Sequence, residues 1–279
     1  MKHVVTISRR TDIVGCYWPW LRERIAQGGA EVPNPFTGQP YYVDLRPQAV
    51  HSLVLMSKNF GPLLAEAEIL SPYRLYFEFT INGYGPTLEP SVPHLSEQLE
   101  QARQIISKYG QEAFLWRFDP IIFTPEDKFP GQGPREKRLN AFEYIGSFLS
   151  ALGVRRVMVS FVQAGGVYPR VARRLKEVGC YEPDGEEKKS FLTDLVSLAS
   201  ALGMEVRTCA QSPEVLAAGV REGACVDGAY LEELFGGRVS RAKQPGMRRY
   251  CRCTRAKDLG SYRMVCRHGC IYCYASPHV

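Results

Sequence analysis

The sequence predicts an α/β protein: a partial (β/α)6-type, TIM-like barrel of parallel strands with a Cys-rich C-terminal appendix. Three observations lead there. Six short runs of β-branched and aromatic residues are apolar at nearly every position, as expected of strands covered on both faces. Amphipathic helical stretches separate them, so each strand is half of a βα unit, and right-handed crossovers make such units a parallel sheet that can curl. Over residues 236–279 the chain turns basic and Cys-rich and the periodicity fades.

The first strand is expected over His3–Ser8, followed by a helix over Trp18–Gln27. A second strand over Ser52–Ser57 leads to a helix over Pro62–Leu70. The third, Arg74–Ile81, leads to a helix over Ser96–Lys108, where Ser96 and the following Glu100 open like an N-cap with acid in the first turn. Ala113–Phe118 precedes a helix over Lys137–Leu152, and Arg156–Val162 precedes helices over Tyr168–Glu177 and Lys188–Leu202. Gly153 and Gly203 sit where helix-stopping glycines belong. The sixth strand, Glu205–Cys209, is followed by a short helix over Pro213–Ala218. The Pro- and Gly-rich stretches Thr124–Pro134 and Tyr181–Gly185 read as loops. Two regions result: a βα barrel domain over 1–235 and a basic, cluster-binding segment over 236–279 packed on it, held by its ligands rather than by apolar burial.

The 279 residues are 45% apolar and 23% charged, which is ordinary for a globular protein with a sizeable core. No apolar run approaches the ~20 residues that cross a bilayer, so no membrane association is expected. The N-terminal stretch lacks a signal-peptide pattern. A cytoplasmic location follows, and there nine cysteines argue for metal or redox-cofactor ligation rather than disulfides. The net charge of +6 is partly local: Arg238, Arg241, Lys243, Arg248, Arg249, Arg252, Arg255 and Lys257 follow one another with no acid between them. That run reads as a phosphate patch for nucleic acid, as an offset for neighbouring thiolate clusters, or as a solvated loop.

Polar residues gather where strands end: Ser8, Arg9 and Asp12 after the first, Lys58 after the second, Glu78 in the third, Arg117 and Asp119 in and after the fourth. In βα folds that end carries the functional groups. A charge inside a buried strand is costly unless paired. Glu78, Arg117 and Asp119 are therefore either a structural ion-pair network or the floor of a polar pocket.

The most specific signal is Cys266-Arg-His-Gly-Cys270-Ile-Tyr-Cys273, a C-x3-C-x2-C spacing. Three such thiolates hold three corners of a cubane cluster and leave the fourth iron free to bind a small molecule. His268 inside the motif reads as a neighbour of the cluster and not a ligand. Cys251 and Cys253 form a C-x-C pair that, with Cys209 and Cys225, completes a four-sulfur set suited to zinc or a second [4Fe-4S] cluster. Cys16 and Cys180 read as small buried hydrophobes.

The motif, with Tyr272 before its last cysteine and Tyr274-Ala275 after it, resembles that of radical S-adenosylmethionine (SAM) enzymes. The wording is most similar to the spore photoproduct lyase-like branch. Thr11-Asp12, Ser57–Asn59, Leu88–Pro93 and Arg117–Ile122 are similar to segments of that branch too. In ordinary radical SAM proteins the cysteines follow the first barrel strand. Here they follow all the others, so the chain resembles a circular permutation of that barrel. Over nearly its whole length it also resembles the domain of unknown function 1848 family, through SRRTDI, NPFTGQ, WRFDPI, CRCTRAKDLGSY and CRHGCIYCYA. The resemblance implies a [4Fe-4S] cluster on Cys266, Cys270 and Cys273, with SAM on the open iron. Reduction by a donor such as ferredoxin or flavodoxin would cleave SAM to a 5′-deoxyadenosyl radical. Ser8, Arg9 and Tyr272 are then cofactor-binding candidates, and Asp12, Lys58, Glu78, Arg117 and Asp119 catalytic ones. Two other functions fit the same residues: a zinc- or iron–sulfur-stabilised nucleic-acid-binding protein without SAM chemistry, and an iron–sulfur electron carrier.

Overall fold

Strands that are apolar on both faces need cover on both sides, and the fold supplies it. The computed structural model describes residues 1–35, 37–124, 133–163, 168–212, 216 and 219–275. In chain order the elements are β1 (His3–Ile7), α1 (Ile13–Cys16), α2 (Trp18–Ala26), β2 (Gly29–Pro33), β3 (Pro40–Asp44), β4 (Val50–Ser57), α3 (Gly61–Ala65), β5 (Leu75–Thr80), α4 (Leu95–Tyr109) and β6 (Phe114–Ile121). They continue with α5 (Pro134–Ala151), β7 (Arg156–Phe161), α6 (Pro169–Glu177), α7 (Gly185–Ala201), β8 (Glu205–Thr208), β9 (Arg221–Glu222), α8 (Gly228–Phe235) and β10 (Lys257–Asp258).

All six expected strands form and lie in one sheet of order β10-β1-β4-β5-β6-β7-β8-β9, with every pairing parallel. Its edges, β9 and β10, are not paired to each other, so the sheet is a TIM-like partial barrel. Alternate residues of each strand face opposite sides. Val5, Ile7, Leu55, Phe77, Phe79 and Trp116 point into the main core, which the helices cover. Val4, Val54, Met56, Tyr76, Leu115 and Met158 point the other way and meet Cys209, Val226, Val239, Cys251, Cys253 and Ala256. The C-terminal segment is therefore anchored by apolar burial as well: Val239 and Ala256 pack on the second face, Leu259 is fully buried in the main core, and β10 extends the sheet beside β1.

The structure adds elements that periodicity did not reveal. β2 and β3 form an antiparallel hairpin, pairing Gly29 with Asp44 and Pro33 with Pro40. α1 and α8 are short helices capped by Asp12 and Asp227. The helix expected over Pro62–Leu70 is divided: α3 ends at Ala65, Glu66 leaves helical geometry at φ −133°, and Ala67–Leu70 continues as a 3-10 turn. α7 starts earlier than expected because Asp184 and Glu187 form a capping box, each side chain accepting the other's backbone N–H. The helix expected over Pro213–Ala218 lies, Leu216 apart, outside the described residues, as does most of the Thr124–Pro134 loop. No helix among the described residues is long and apolar enough to cross a membrane.

Candidate metal and cofactor site

Placing β10 against β1 brings the cysteine motif to the strand ends that carry Ser8–Asp12, although some 250 residues separate them in sequence. Asp258 locks the seam. Its Oδ1 accepts from Ser8 Oγ at 2.8 Å, its Oδ2 from the Arg9 N–H at 3.1 Å, and its carbonyl from Tyr41 Oη at 2.6 Å. Position 260 must be glycine, because a Cβ there would lie 1.8 Å from Ser8 Oγ. In the motif itself Gly269 has φ +65°, the left-handed turn that brings Cys270 round after Cys266.

Asp12 is the hub of the floor. Its carboxylate accepts from the Gly15 N–H at 2.8 Å, the Lys58 N–H at 2.8 Å and Ser57 Oγ at 2.8 Å, and it faces His268 Nε2 at 2.8 Å. The other ring nitrogen of His268 faces the Ser91 carbonyl at 3.1 Å. Both nitrogens meet acceptors, so both carry protons and His268 is an imidazolium. Burial pushes its pKa down, but the Asp12 hydrogen bond and charge, with Cys266, win and raise it to about 9. Burial in turn pushes the Asp12 carboxyl up, and the His268 bond and charge overcome this and lower it. Gly15 leaves room for the ring, since a Cβ there would approach His268 Nε2 to 3.1 Å.

The Cys266 thiol is shifted down to about 6, first by its hydrogen bond from Cys16 and also by the His268 cation. Cys16, which the sequence left as an isolated hydrophobe, is raised as the donor of that bond. Cys270 is pushed up by burial and pulled back by Lys58. Lys58 Nζ donates to Glu89 Oε1 at 2.7 Å, and Asn82 Nδ2 donates to the same oxygen at 3.1 Å. The Tyr272 hydroxyl donates to Glu89 as well, and its ring lies 5.6 Å from Lys58 Nζ.

These groups share a cleft of about 160 Å³. Ser8, Arg9, Asp12, Lys58, Arg117, Tyr272 and all three motif cysteines line it. Glu78 and Asp119 do not; they sit behind Arg117, whose Nη1 is 3.4 Å from Glu78 Oε2 and whose Nη2 pairs with Asp119. Asp119 also accepts from Ser160 Oγ. Arg9 Nε and Nη2 and Thr11 Oγ1 are buried with no hydrogen-bond partner among the described residues.

A second set of thiols lies elsewhere: Cys209, Cys225, Cys251 and Cys253 are all buried on the second face of the sheet. Among the described residues, the group of Cys, His or carboxylate donors lying within 4.8 Å of one another is Cys16, Cys266 and His268. With both ring nitrogens protonated, His268 has no lone pair to give a metal, so it serves that group as a cation. Sequence reasoning singled out neither Cys16 nor Glu89, Asn82 and Asp258. Each reaches the site through strand pairing over long separations, and no local spacing marks it.

Fold and site define an α/β parallel-sheet protein with cysteine groups able to bind a metal. The family model described as Domain of unknown function (DUF1848) matches residues 4–275, and the chain belongs to that family. None of the curated proteins matches it. Two solved structures resemble parts of it. One is a protein from Anabaena variabilis assigned as a sugar phosphate isomerase/epimerase, with 16% identity, TM-score 0.35, and 58% of this chain and 54% of that one covered. The other is an HMG-CoA lyase from Brucella melitensis, with 12% identity, TM-score 0.31, and 75% and 81% covered. The chain thus spans about half the length of the first, and similarity at this level carries no argument about activity.

Proposed function

We propose that this protein is an iron–sulfur enzyme of the radical SAM type, with Cys266, Cys270 and Cys273 holding a [4Fe-4S] cluster whose fourth iron has no protein ligand. The observation that carries this reading is the cleft the three cysteines share with unpartnered Arg9 and Thr11 atoms. The fit supports it. Cys266 is poised as a thiolate beside a cation, and Lys58 faces Cys270. A bound and reduced cluster would supply one-electron cleavage of SAM.

The chain's own residues would bind and orient. Arg9 Nη2 and Thr11 Oγ1, buried without partners, suit the carboxylate of SAM, because a buried guanidinium needs an anion. Tyr272, fixed through Glu89 and Asn82, would pack beside the cluster and exclude water. Lys58, Arg117, Glu78 and Asp119 would orient substrate, with Arg117 reaching the cleft and the two carboxylates holding it there. Asp12 would act at one remove, as the positioning residue for His268 and the Lys58 backbone. The reading needs a one-electron donor such as ferredoxin or flavodoxin and places the protein in the cytoplasm.

A basic cleft of about 490 Å³, lined by Arg10, Arg255 and Lys257 among others, favours a second reading: a metal-stabilised protein that binds a phosphate-bearing ligand such as nucleic acid. Anaerobic purification separates the two. Brown protein with about four or eight iron per chain supports the first, and colourless zinc protein the second. Dithionite and SAM should then yield 5′-deoxyadenosine. If reconstituted iron–sulfur protein neither binds nor cleaves SAM, the first reading fails.

A further inference from the structure

Cys209 follows β8, Cys225 lies in the turn before α8, and Cys251 and Cys253 sit in the segment leading to β10. The fold gathers all four against one face of the sheet with relative exposures of 6%, 7%, 2% and 1%. Cys209 Sγ is 3.5 Å from Cys225 Sγ, well beyond the ~2 Å of a disulfide, and all four are free thiols. Cys225 neighbours Cys253 in turn, and Cys253 neighbours Cys251.

Buried free cysteines are ordinarily small hydrophobes. The polar groups around these four argue otherwise. Arg248 Nη2 points at Cys209 Sγ from 3.8 Å, and the Val226 N–H donates to Cys253 Sγ at 3.5 Å. Arg248, an exposed residue, also donates to the neutral Gln163 Oε1 at 3.0 Å. A guanidinium turned on a sulfur suits a thiolate better than a neutral thiol, and a metal is what keeps buried thiols deprotonated. Arg117 brings a second cation beside Cys225 and Cys209.

The geometry points to a second, closed metal centre in which Cys209, Cys225, Cys251 and Cys253 supply four thiolates to one thiophilic core, either a zinc ion or a [4Fe-4S] cluster. Both cores have the same chemistry toward the protein: sulfur-only ligation, no open position, and about two net negative charges, which the Arg248 guanidinium faces. A closed centre binds no substrate. It ties the end of β8, the turn before α8 and the approach to β10 into one unit. Arg117, which also lines the motif cleft, borders both sites. This inference stands whether or not the motif cleft binds SAM.

The test is metal content in the variant Cys266→Ala/Cys270→Ala/Cys273→Ala, purified anaerobically and checked for folding by circular dichroism. Retention of about one zinc per chain identifies the ion, and retention of about four iron with matching sulfide identifies the cluster. Either supports the inference. A folded variant without metal overturns it. If that variant does not fold, the wild-type protein decides. About eight iron, or about four iron plus one zinc, supports two centres, and metal enough for only one overturns the second. Adding Cys251→Ser/Cys253→Ser to wild type should remove only the second component and leave SAM binding measurable.

Discussion

Glu78 offers a perturbation whose sign and size follow from its surroundings. The carboxyl is fully buried, its Oε1 has no partner among the described residues, and Arg117 reaches Oε2 only at 3.4 Å. Burial therefore pushes its pKa up from 4.5 to about 7, against the pull of Arg117 and Arg9. The rise spans about 2.5 pH units, which at about 1.4 kcal/mol each makes ~3 kcal/mol. A carboxyl raised in the folded state contributes stability below its unfolded pKa and loses it as pH climbs through the folded value. Wild-type protein should thus lose up to ~3 kcal/mol between about pH 4.5 and pH 8.5 from this group. Glu78→Gln mimics the protonated acid and leaves Asp119 to hold Arg117. Urea unfolding under anaerobic conditions, with matched metal content, should show wild type and variant nearly equal at about pH 5, and the variant more stable by ~2–3 kcal/mol at about pH 8.5. A difference that does not change with pH, or a variant that is weaker at the alkaline end, would refute the buried-carboxyl argument.

Two further perturbations probe the cleft and the seam. Arg9→Gln should keep the iron content and weaken SAM binding by roughly ten- to a hundredfold, since one charge-assisted hydrogen bond is worth roughly 1.5–3 kcal/mol; equilibrium dialysis with labelled SAM measures it, and an unchanged affinity removes Arg9 from the binding set. Gly260→Ala forces a Cβ to within 1.8 Å of Ser8 Oγ and 2.6 Å of its Cβ, so the variant should lose about 2–4 kcal/mol in thermal or urea unfolding. A neutral result would show that the seam can yield.

The six long strands were legible because burial on both faces leaves a continuous apolar run, as in Leu53–Met56 and Phe114–Trp116. The β2–β3 hairpin was not: its strands are half exposed, and Gly29, Pro33 and Pro40 sit in them, where composition argues against a strand. β9 and β10 have two residues each, too few for any period to register. At the site, the cysteine spacing and the polar strand ends were visible because each is local. The partners that fix them were not. Asp258 reaches Ser8, His268 reaches Asp12, and Cys16 reaches Cys266 across some 250 residues, and only the pairing of β10 with β1 makes them neighbours.

The β1–β10 seam rests on two register pairs, Val5 with Lys257 and Thr6 with Asp258, whereas β4–β5 has five. Closing so long a loop for so short a ladder costs entropy that the Asp258 hydrogen bonds and the burial of Leu259 must help repay, so of the sheet's pairings this one should open before the β4–β7 ladders do. A gap opening there would widen access to the motif thiols without unfolding the domain, a way for a metal to reach an otherwise finished scaffold.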